Sequence, residues 1–93
     1  MMRKYKVVLD EFISAREIED NFRKWADKKE EIIIFDFHRL KTIDQISFKA
    51  LFRVKKGLEL IGKSVYFCCL PPCIASVISF WDIELEGLFE DEI

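Results

Sequence analysis

Glycine, proline and cysteine are scarce in this chain, and their scarcity excludes several classes of site. Three glycines and two prolines occur among 93 residues, and no two glycines are adjacent. A phosphate-binding loop built from backbone amides needs clustered glycines, so we expect no nucleotide cradle of that kind. The three cysteines are an odd number, which suits a reducing compartment better than a disulfide framework.

Long apolar runs and an excess of basic residues are also missing. No run approaches the roughly 18 apolar residues that a membrane span requires. The formal net charge of −2 argues against a general attraction to nucleic acid. The amino-terminal segment is basic but has neither a long apolar region nor a small-residue cleavage site, so secretion is not expected. These features predict a cytoplasmic protein that binds no nucleic acid and does not insert into a membrane.

Apolar and aromatic residues, in contrast, are abundant. Hydrophobic residues make up 51% of the chain, and nine of them are Phe. A chain of 93 residues has room for one hydrophobic core and no second one. We therefore expect residues 1–93 to form a single domain.

The middle of the chain has the order strand, helix, strand. Ile32–Phe37 is almost continuously apolar, as in a strand that is covered on both faces and has parallel neighbours. Asp44 is a suitable N-cap, and Gly62 suits the position after a helix end, which predicts a helix over about Gln45–Ile61. Ser64–Cys69 is the next apolar strand.

The flanking segments add a strand and two helices. Lys4–Leu9 alternates in polarity and is predicted to be a short edge strand. Ser14 and Glu17 form a capping box that starts a helix. Pro71-Pro72 ends the pairing of the strand before it and starts the last helix. The apolar side of the first helix carries Ala15, Ile18, Phe22, Trp25 and Ala26.

This succession resembles the STAS domain family, in which an apolar strand and a loop ending in Asp-Ser lead to a central helix. The resemblance covers about residues 9–90. It implies an α/β fold with a mixed sheet of about four strands flanked by α-helices on one main side. It also implies a non-catalytic, regulatory protein-binding module similar to anti-sigma-factor antagonists, whose partners include kinase-like anti-sigma factors.

The loop before the central helix departs from the family pattern. Here it ends Ile43-Asp44-Gln45, so Gln45 stands where the family phosphorylates a Ser. Since Gln cannot accept a phosphate, binding is expected to be constitutive or to be controlled elsewhere. Ser47 and Thr42 are nearby hydroxyls and alternative phosphorylation candidates. Alternatively, both residues have purely structural roles: Ser47 would pack against the sheet from the first turn of the helix, and the Thr42 hydroxyl would stabilise a local turn.

A helical projection of the central helix predicts which of its faces is buried. Phe48 and Phe52 fall opposite the predicted core, among lysines, and an exposed apolar pair rimmed by charge is typical of a partner surface. The alternatives are that another loop or a dimer mate covers the two Phe side chains, or that the helix is rotated and one Phe belongs to the core. Small Ala50 and Gly57 are predicted to let the helix lie close to the sheet. The predicted core face consists of Ile46, Ser47, Ala50, Leu51, Val54, Gly57, Leu58 and Ile61.

The projection and the resemblance together predict docking through the amino-terminal part of this helix. The two Phe side chains would be apolar anchors, and Lys49 and Lys56 would select an acidic partner. The alternatives are a structural subunit or homodimer and a thiol-based sensor. The predicted contact residues are Asp44, Gln45, Phe48, Lys49, Phe52 and Lys56.

The cysteines and the single histidine are predicted to have no catalytic, metal-binding or cofactor-binding role. Cys68 and Cys69 end a strand, where alternation would send them to opposite faces. Three residues separate Cys69 from Cys73, which is neither a redox nor an ordinary zinc spacing. His38 follows a strand and is predicted to be a solvated loop residue.

Charge is unevenly distributed along the chain. Basic residues dominate residues 38–63, whereas the segment from Asp82 to the end contains acidic residues and no basic one. Arg39 and Lys41 make the loop after the strand electropositive, which favours an acidic partner segment.

Overall fold

Within the residues that the structure describes, four strands and four helices form the fold. The structure is a computed structural model, and it describes residues 2–81, 83 and 88–90. The acidic segment predicted from Asp82 onward lies mostly outside the described residues. The elements are β1 (Lys4–Val8), α1 (Ala15–Asp20), α2 (Phe22–Ala26), β2 (Ile32–Asp36), α3 (Gln45–Leu60), β3 (Ser64–Cys68), α4 (Pro72–Ser79) and β4 (Phe89–Glu90).

The four strands form one sheet in the order β1-β2-β3-β4. All described pairings are parallel, with Val8 beside Asp36 and Asp36 beside Cys68. Parallel neighbours need a crossover connection, and the helical segments between the strands provide it. The predicted α/β architecture of four strands and flanking helices is confirmed, as is the edge position of β1. The described sheet is parallel rather than mixed, which corrects that detail.

One face of the sheet packs against the helices. Phe35 and Phe67 are fully buried there, and Trp25 of α2 lies edge-on to Phe35 with ring centroids 5.0 Å apart. The centroids of Phe35 and Phe67 are 5.8 Å apart. Such edge-to-face pairs add to the free energy that burial of the rings supplies. The same core includes Ile18, Ile33, Leu51, Val54, Leu58, Val65, Ile74 and Ile78.

The opposite face carries the alternate residues of the same strands. Ile32, Ile34 and Cys68 form a second, smaller buried cluster, with Tyr66 packed against it. Within the described ranges, this cluster consists of strand residues alone. The helices therefore lie on one main side of the sheet, as the sequence predicts.

The first helical segment begins at the predicted cap. The Ser14 Oγ accepts a hydrogen bond from the Glu17 backbone N–H at 3.2 Å. Ile18 and Trp25 are buried, as the apolar periodicity predicts. The segment is divided at Asn21 into α1 and α2, so one predicted helix is observed as two short ones.

The central helix α3 begins and ends close to the predicted residues. The Asp44 carboxylate accepts from the Ser47 backbone N–H at 2.7 Å, which confirms the N-cap. Gly62 adopts a φ of 95° just after the helix end, a conformation that glycine tolerates best.

The buried face of α3 is rotated from its predicted position. Phe48 is fully buried, whereas Ile46 is 69% exposed and Ile61 is 55% exposed, so the predicted locations of these three side chains are wrong. The Phe48 ring lies 5.1 Å from that of Phe52 and 6.0 Å from that of Trp81. Burying this large aromatic surface stabilises the fold more than burying Ile46 would.

The close approach predicted at Gly57 involves a different neighbour. A Cβ atom at Gly57 would lie 2.7 Å from Cε1 of Phe22, which belongs to α2. The absent side chain therefore lets α2 and α3 approach each other, and the predicted contact of Gly57 with the sheet is wrong.

Candidate functional site

One face of α3 is exposed along the whole helix. Its exposed residues recur at alternating intervals of three and four, the spacing of a single helical face. Ile46 and Leu60, at the two ends, are 69% and 87% exposed. We call this face the outer stripe of α3; it comprises Ile46, Lys49, Arg53, Lys56 and Leu60.

The structure divides the predicted contact residues between this exposed surface and the core. Gln45, Lys49 and Lys56 are exposed, and Asp44 is exposed although its carboxylate caps the helix. Phe48 is fully buried, so its predicted role as an exposed anchor is wrong.

Phe52 occupies an intermediate position between surface and core. It is half-buried and packs against the core, with its ring centroid 6.0 Å from that of Phe67. Exposed Ile46 was missed by the sequence prediction. The sequence did contain a signal for this: Phe48 and Phe52, spaced i,i+4, have more apolar surface to bury than Ile46 alone, so the helix face that carries the two Phe side chains is the better candidate for the core.

Most of the basic residues near α3 are paired with carboxylates. Lys49 and Lys56 form no ion pair with any residue that the structure describes. Their charges therefore remain available to a partner. The paired residues are Arg39 with Asp10 (4.0 Å), Lys41 with Glu11 (3.6 Å), Arg53 with Glu19 (2.6 Å) and Lys55 with Glu59 (2.8 Å).

The two candidate phosphorylation residues lie in different environments. Ser47 is 1% exposed, and its hydroxyl donates to the carbonyl oxygen of Ile13 at 3.4 Å. A kinase would have to displace the start of α3 to reach it. Thr42 is exposed in the preceding loop.

A second polar cluster lies at the carboxyl ends of β2 and β3. Asp36 is 4% exposed, and its Oδ1 accepts from the His38 backbone N–H at 2.9 Å and from the His38 Nδ1 at 2.8 Å. The Lys6 Nζ lies 3.7 Å from its Oδ2. Burial opposes ionisation of Asp36, but the hydrogen bonds from His38 outweigh it and hold the pKa of the carboxyl below its ordinary value. His38 is exposed as predicted, but it is also bound to this buried carboxylate.

The two adjacent cysteines meet at this cluster. One ligand atom from each of Asp36, Cys68 and Cys69 lies within 4.8 Å of the other two. The prediction that the two thiols point to opposite faces is therefore wrong. Burial, and next a hydrogen bond with Cys69, raise the pKa of the Cys68 thiol to about 12. Cys73 is exposed on α4.

Two of three comparisons with known proteins found a match. The sequence profile of the STAS domain matches residues 11–91. A solved variant of RsbS from Moorella thermoacetica is similar in fold, with a TM-score of 0.74 and 15% sequence identity over 97% of this chain and 80% of the other. No curated protein matches the chain in sequence. None of the helices in the described ranges is long and apolar enough to cross a membrane.

Proposed function

The chain belongs to the STAS domain family, and from this membership we propose that it is a regulatory module that binds a partner protein and catalyses no reaction. The proposed partner is an acidic protein surface of the kind that a kinase-like anti-sigma factor would present. STAS membership and the RsbS-like fold support the regulatory part of this proposal. The exposed residues of α3 support the proposed location of the partner-binding surface.

The amino-terminal half of the outer stripe of α3 is the proposed contact surface. The observation that carries this proposal is Ile46, an aliphatic side chain 69% exposed beside Gln45 and Lys49. An exposed apolar residue can serve as an anchor in a partner's pocket, and a neighbouring charge selects the partner and speeds association. Ile46 thus takes the anchor role that buried Phe48 cannot fill. Lys56 extends the positive surface along the helix.

Partner binding is proposed to be independent of a phosphate at the start of α3. Gln45 occupies the position next to the cap residue Asp44, and its amide accepts no phosphate. Ser47 is buried, and its backbone N–H also donates to the Asp44 carboxylate. Of the two hydroxyl candidates, exposed Thr42 is the one that a kinase would reach without moving the helix.

The proposal is tested with two substitutions at opposite ends of the same exposed stripe. Ile46→Asp places a charge at the proposed anchor, and Leu60→Asp makes the same chemical change about four helical turns away. The wild-type chain and both variants are used to capture proteins from a lysate of the source organism. Each captured protein is then purified and titrated against all three chains by calorimetry.

The expected result is a partner that wild type and Leu60→Asp bind alike and that Ile46→Asp binds at least about tenfold more weakly, a loss of about 1.4 kcal/mol. Equal binding by all three chains would reject the contact surface. Sedimentation of the purified chain distinguishes the homodimer alternative, because a mass that rises with concentration in wild type but not in Ile46→Asp would assign the same surface to self-association.

A further inference from the structure

The carboxyl ends of β2 and β3 bring together three side chains that can bind a metal ion. Asp36 ends β2 and is in register with Cys68, which ends β3. One ligand atom from each of Asp36, Cys68 and Cys69 lies within 4.8 Å of the other two. Because the strands are parallel, their carboxyl ends meet at one edge of the sheet, where α/β proteins commonly bind ligands.

The backbone of Cys69 explains why two adjacent thiols converge. Successive side chains of a regular strand point to opposite faces. Cys69 has a φ of 60°, which is uncommon for a residue other than glycine and ends the regular strand at that point. Its thiol therefore joins that of Cys68 beside the Asp36 carboxylate instead of pointing to the other face.

The donor set of two thiols and one carboxylate suits zinc. Thiolates favour Zn²⁺ or Cu(I), and a carboxylate oxygen favours the harder of these two ions. In a tetrahedral zinc site with Zn–S bonds of about 2.3 Å, two sulfur atoms are about 3.8 Å apart. Donor atoms that already lie within 4.8 Å of one another need to contract by only about 1 Å.

The surroundings of the cluster are also those of a metal site. His38 donates to Oδ1 of Asp36 through its backbone N–H and its Nδ1, and these bonds fix the carboxylate. Hydrogen bonds of this kind orient metal ligands and raise affinity. Two thiolates, one carboxylate and Zn²⁺ carry a net charge of −1, and the Lys6 ammonium group 3.7 Å from Asp36 offsets it.

We propose that Asp36, Cys68 and Cys69 bind one Zn²⁺ ion, with a fourth coordination position open to solvent on the side of exposed Cys69. The ion replaces the two thiol protons, which pass to the buffer, and two Zn–S bonds and one Zn–O bond form without any change of oxidation state. The site lies on the strand ends rather than on the outer stripe of α3, and it does not depend on the proposed partner.

The test is a titration of the reduced 93-residue chain with Co²⁺, followed by displacement with Zn²⁺. Tetrahedral Co²⁺ bound to thiolates gives intense visible bands and a near-ultraviolet sulfur-to-metal charge-transfer band. The expected stoichiometry is one ion per chain, with about two protons released per ion. Zn²⁺ should abolish the cobalt spectrum.

Two serine substitutions identify the ligands. Cys69→Ser removes a proposed ligand, and Cys73→Ser removes an exposed thiol outside the cluster. Since loss of a supporting partner alone lowers metal affinity by about 10–100-fold, Cys69→Ser should lower it by at least that factor, while Cys73→Ser should leave it unchanged. Asp36→Asn should shift the cobalt bands, and circular dichroism checks that each variant is folded.

Thermal unfolding provides a second readout. A ligand that binds the native state alone raises the melting temperature, so excess Zn²⁺ should raise it for wild type and Cys73→Ser but not for Cys69→Ser. The proposal is overturned if wild type binds no Co²⁺ at micromolar concentration. Equal losses of affinity in both serine variants would also overturn it, because Cys73, which lies outside the cluster, would then contribute as much to binding as Cys69.

Discussion

The inner and outer faces of α3 present the same kinds of side chain in opposite environments. Phe48 and Ile46 are two residues apart, yet the first is fully buried and the second is 69% exposed. Packing in the main core accounts for Phe48, whose ring lies close to those of Phe52 and Trp81. Among the described residues, no such packing covers Ile46. The difference teaches that an apolar residue supports a binding hypothesis only after the core has been assigned.

The largest effect on stability is expected from the inner face. Phe48→Ala should lower the free energy of unfolding by about 3–5 kcal/mol, because it leaves a cavity among the aromatic rings. Ile46→Ala, the matched change on the outer face, should alter it by less than about 0.5 kcal/mol. Urea unfolding followed by circular dichroism measures both. Similar losses of unfolding free energy in the two variants would contradict the assignment of Phe48 to the core and Ile46 to the surface.

Asp36, a buried polar residue at the carboxyl end of β2, should have the next largest effect. Asp36→Asn should lower stability by about 1–3 kcal/mol at neutral pH, because the charged acceptor of two His38 hydrogen bonds is lost.

The same carboxyl predicts the direction of the pH dependence. Its pKa in the folded chain lies below the ordinary value of 3.8, so the ionised form stabilises the native state above that pH. This contribution is lost as the pH falls through the folded pKa. Urea midpoints measured from neutral to strongly acid pH should therefore fall less steeply below 3.8 in Asp36→Asn than in wild type. Parallel curves would show that Asp36 contributes no such linkage.

The N-cap residue of α3, Asp44, should have a smaller effect on stability. The Asp44 carboxylate accepts from the Ser47 backbone N–H at 2.7 Å, so Asp44→Ala should cost about 1 kcal/mol of unfolding free energy. Asp44→Ser keeps a capping oxygen and should recover most of that loss. If serine fails to recover it, the carboxylate has a role other than capping.

The sequence contained enough information to predict the elements but not the orientation of α3. Continuous apolar runs predicted β2 and β3, and the Asp44 and Gly62 signals predicted the ends of the central helix. These signals are local. The rotation of α3 depends on what its side chains meet, and the aromatic contacts of Phe48 join residues far apart in the chain, such as Trp81.

The cluster at the strand ends was hidden for a related reason. Adjacent cysteines at the end of a strand are expected on opposite faces, and this expectation holds only while the backbone remains extended. The φ of 60° at Cys69 breaks the alternation. Register then matters as well, because Asp36 lies beside Cys68 only after β2 and β3 have paired. Neither the turn nor the register was visible as a motif.

The smallest change in stability should accompany the largest change in partner binding. Ile46→Asp should leave the free energy of unfolding within about 0.5 kcal/mol of wild type, because the side chain lies mostly in solvent. Calorimetric titration of the captured partner against Ile46→Asp and Leu60→Asp is the most direct test of the account. We predict at least about tenfold weaker binding for Ile46→Asp and wild-type affinity for Leu60→Asp. Equal affinities in the two folded variants would contradict docking through the amino-terminal half of α3.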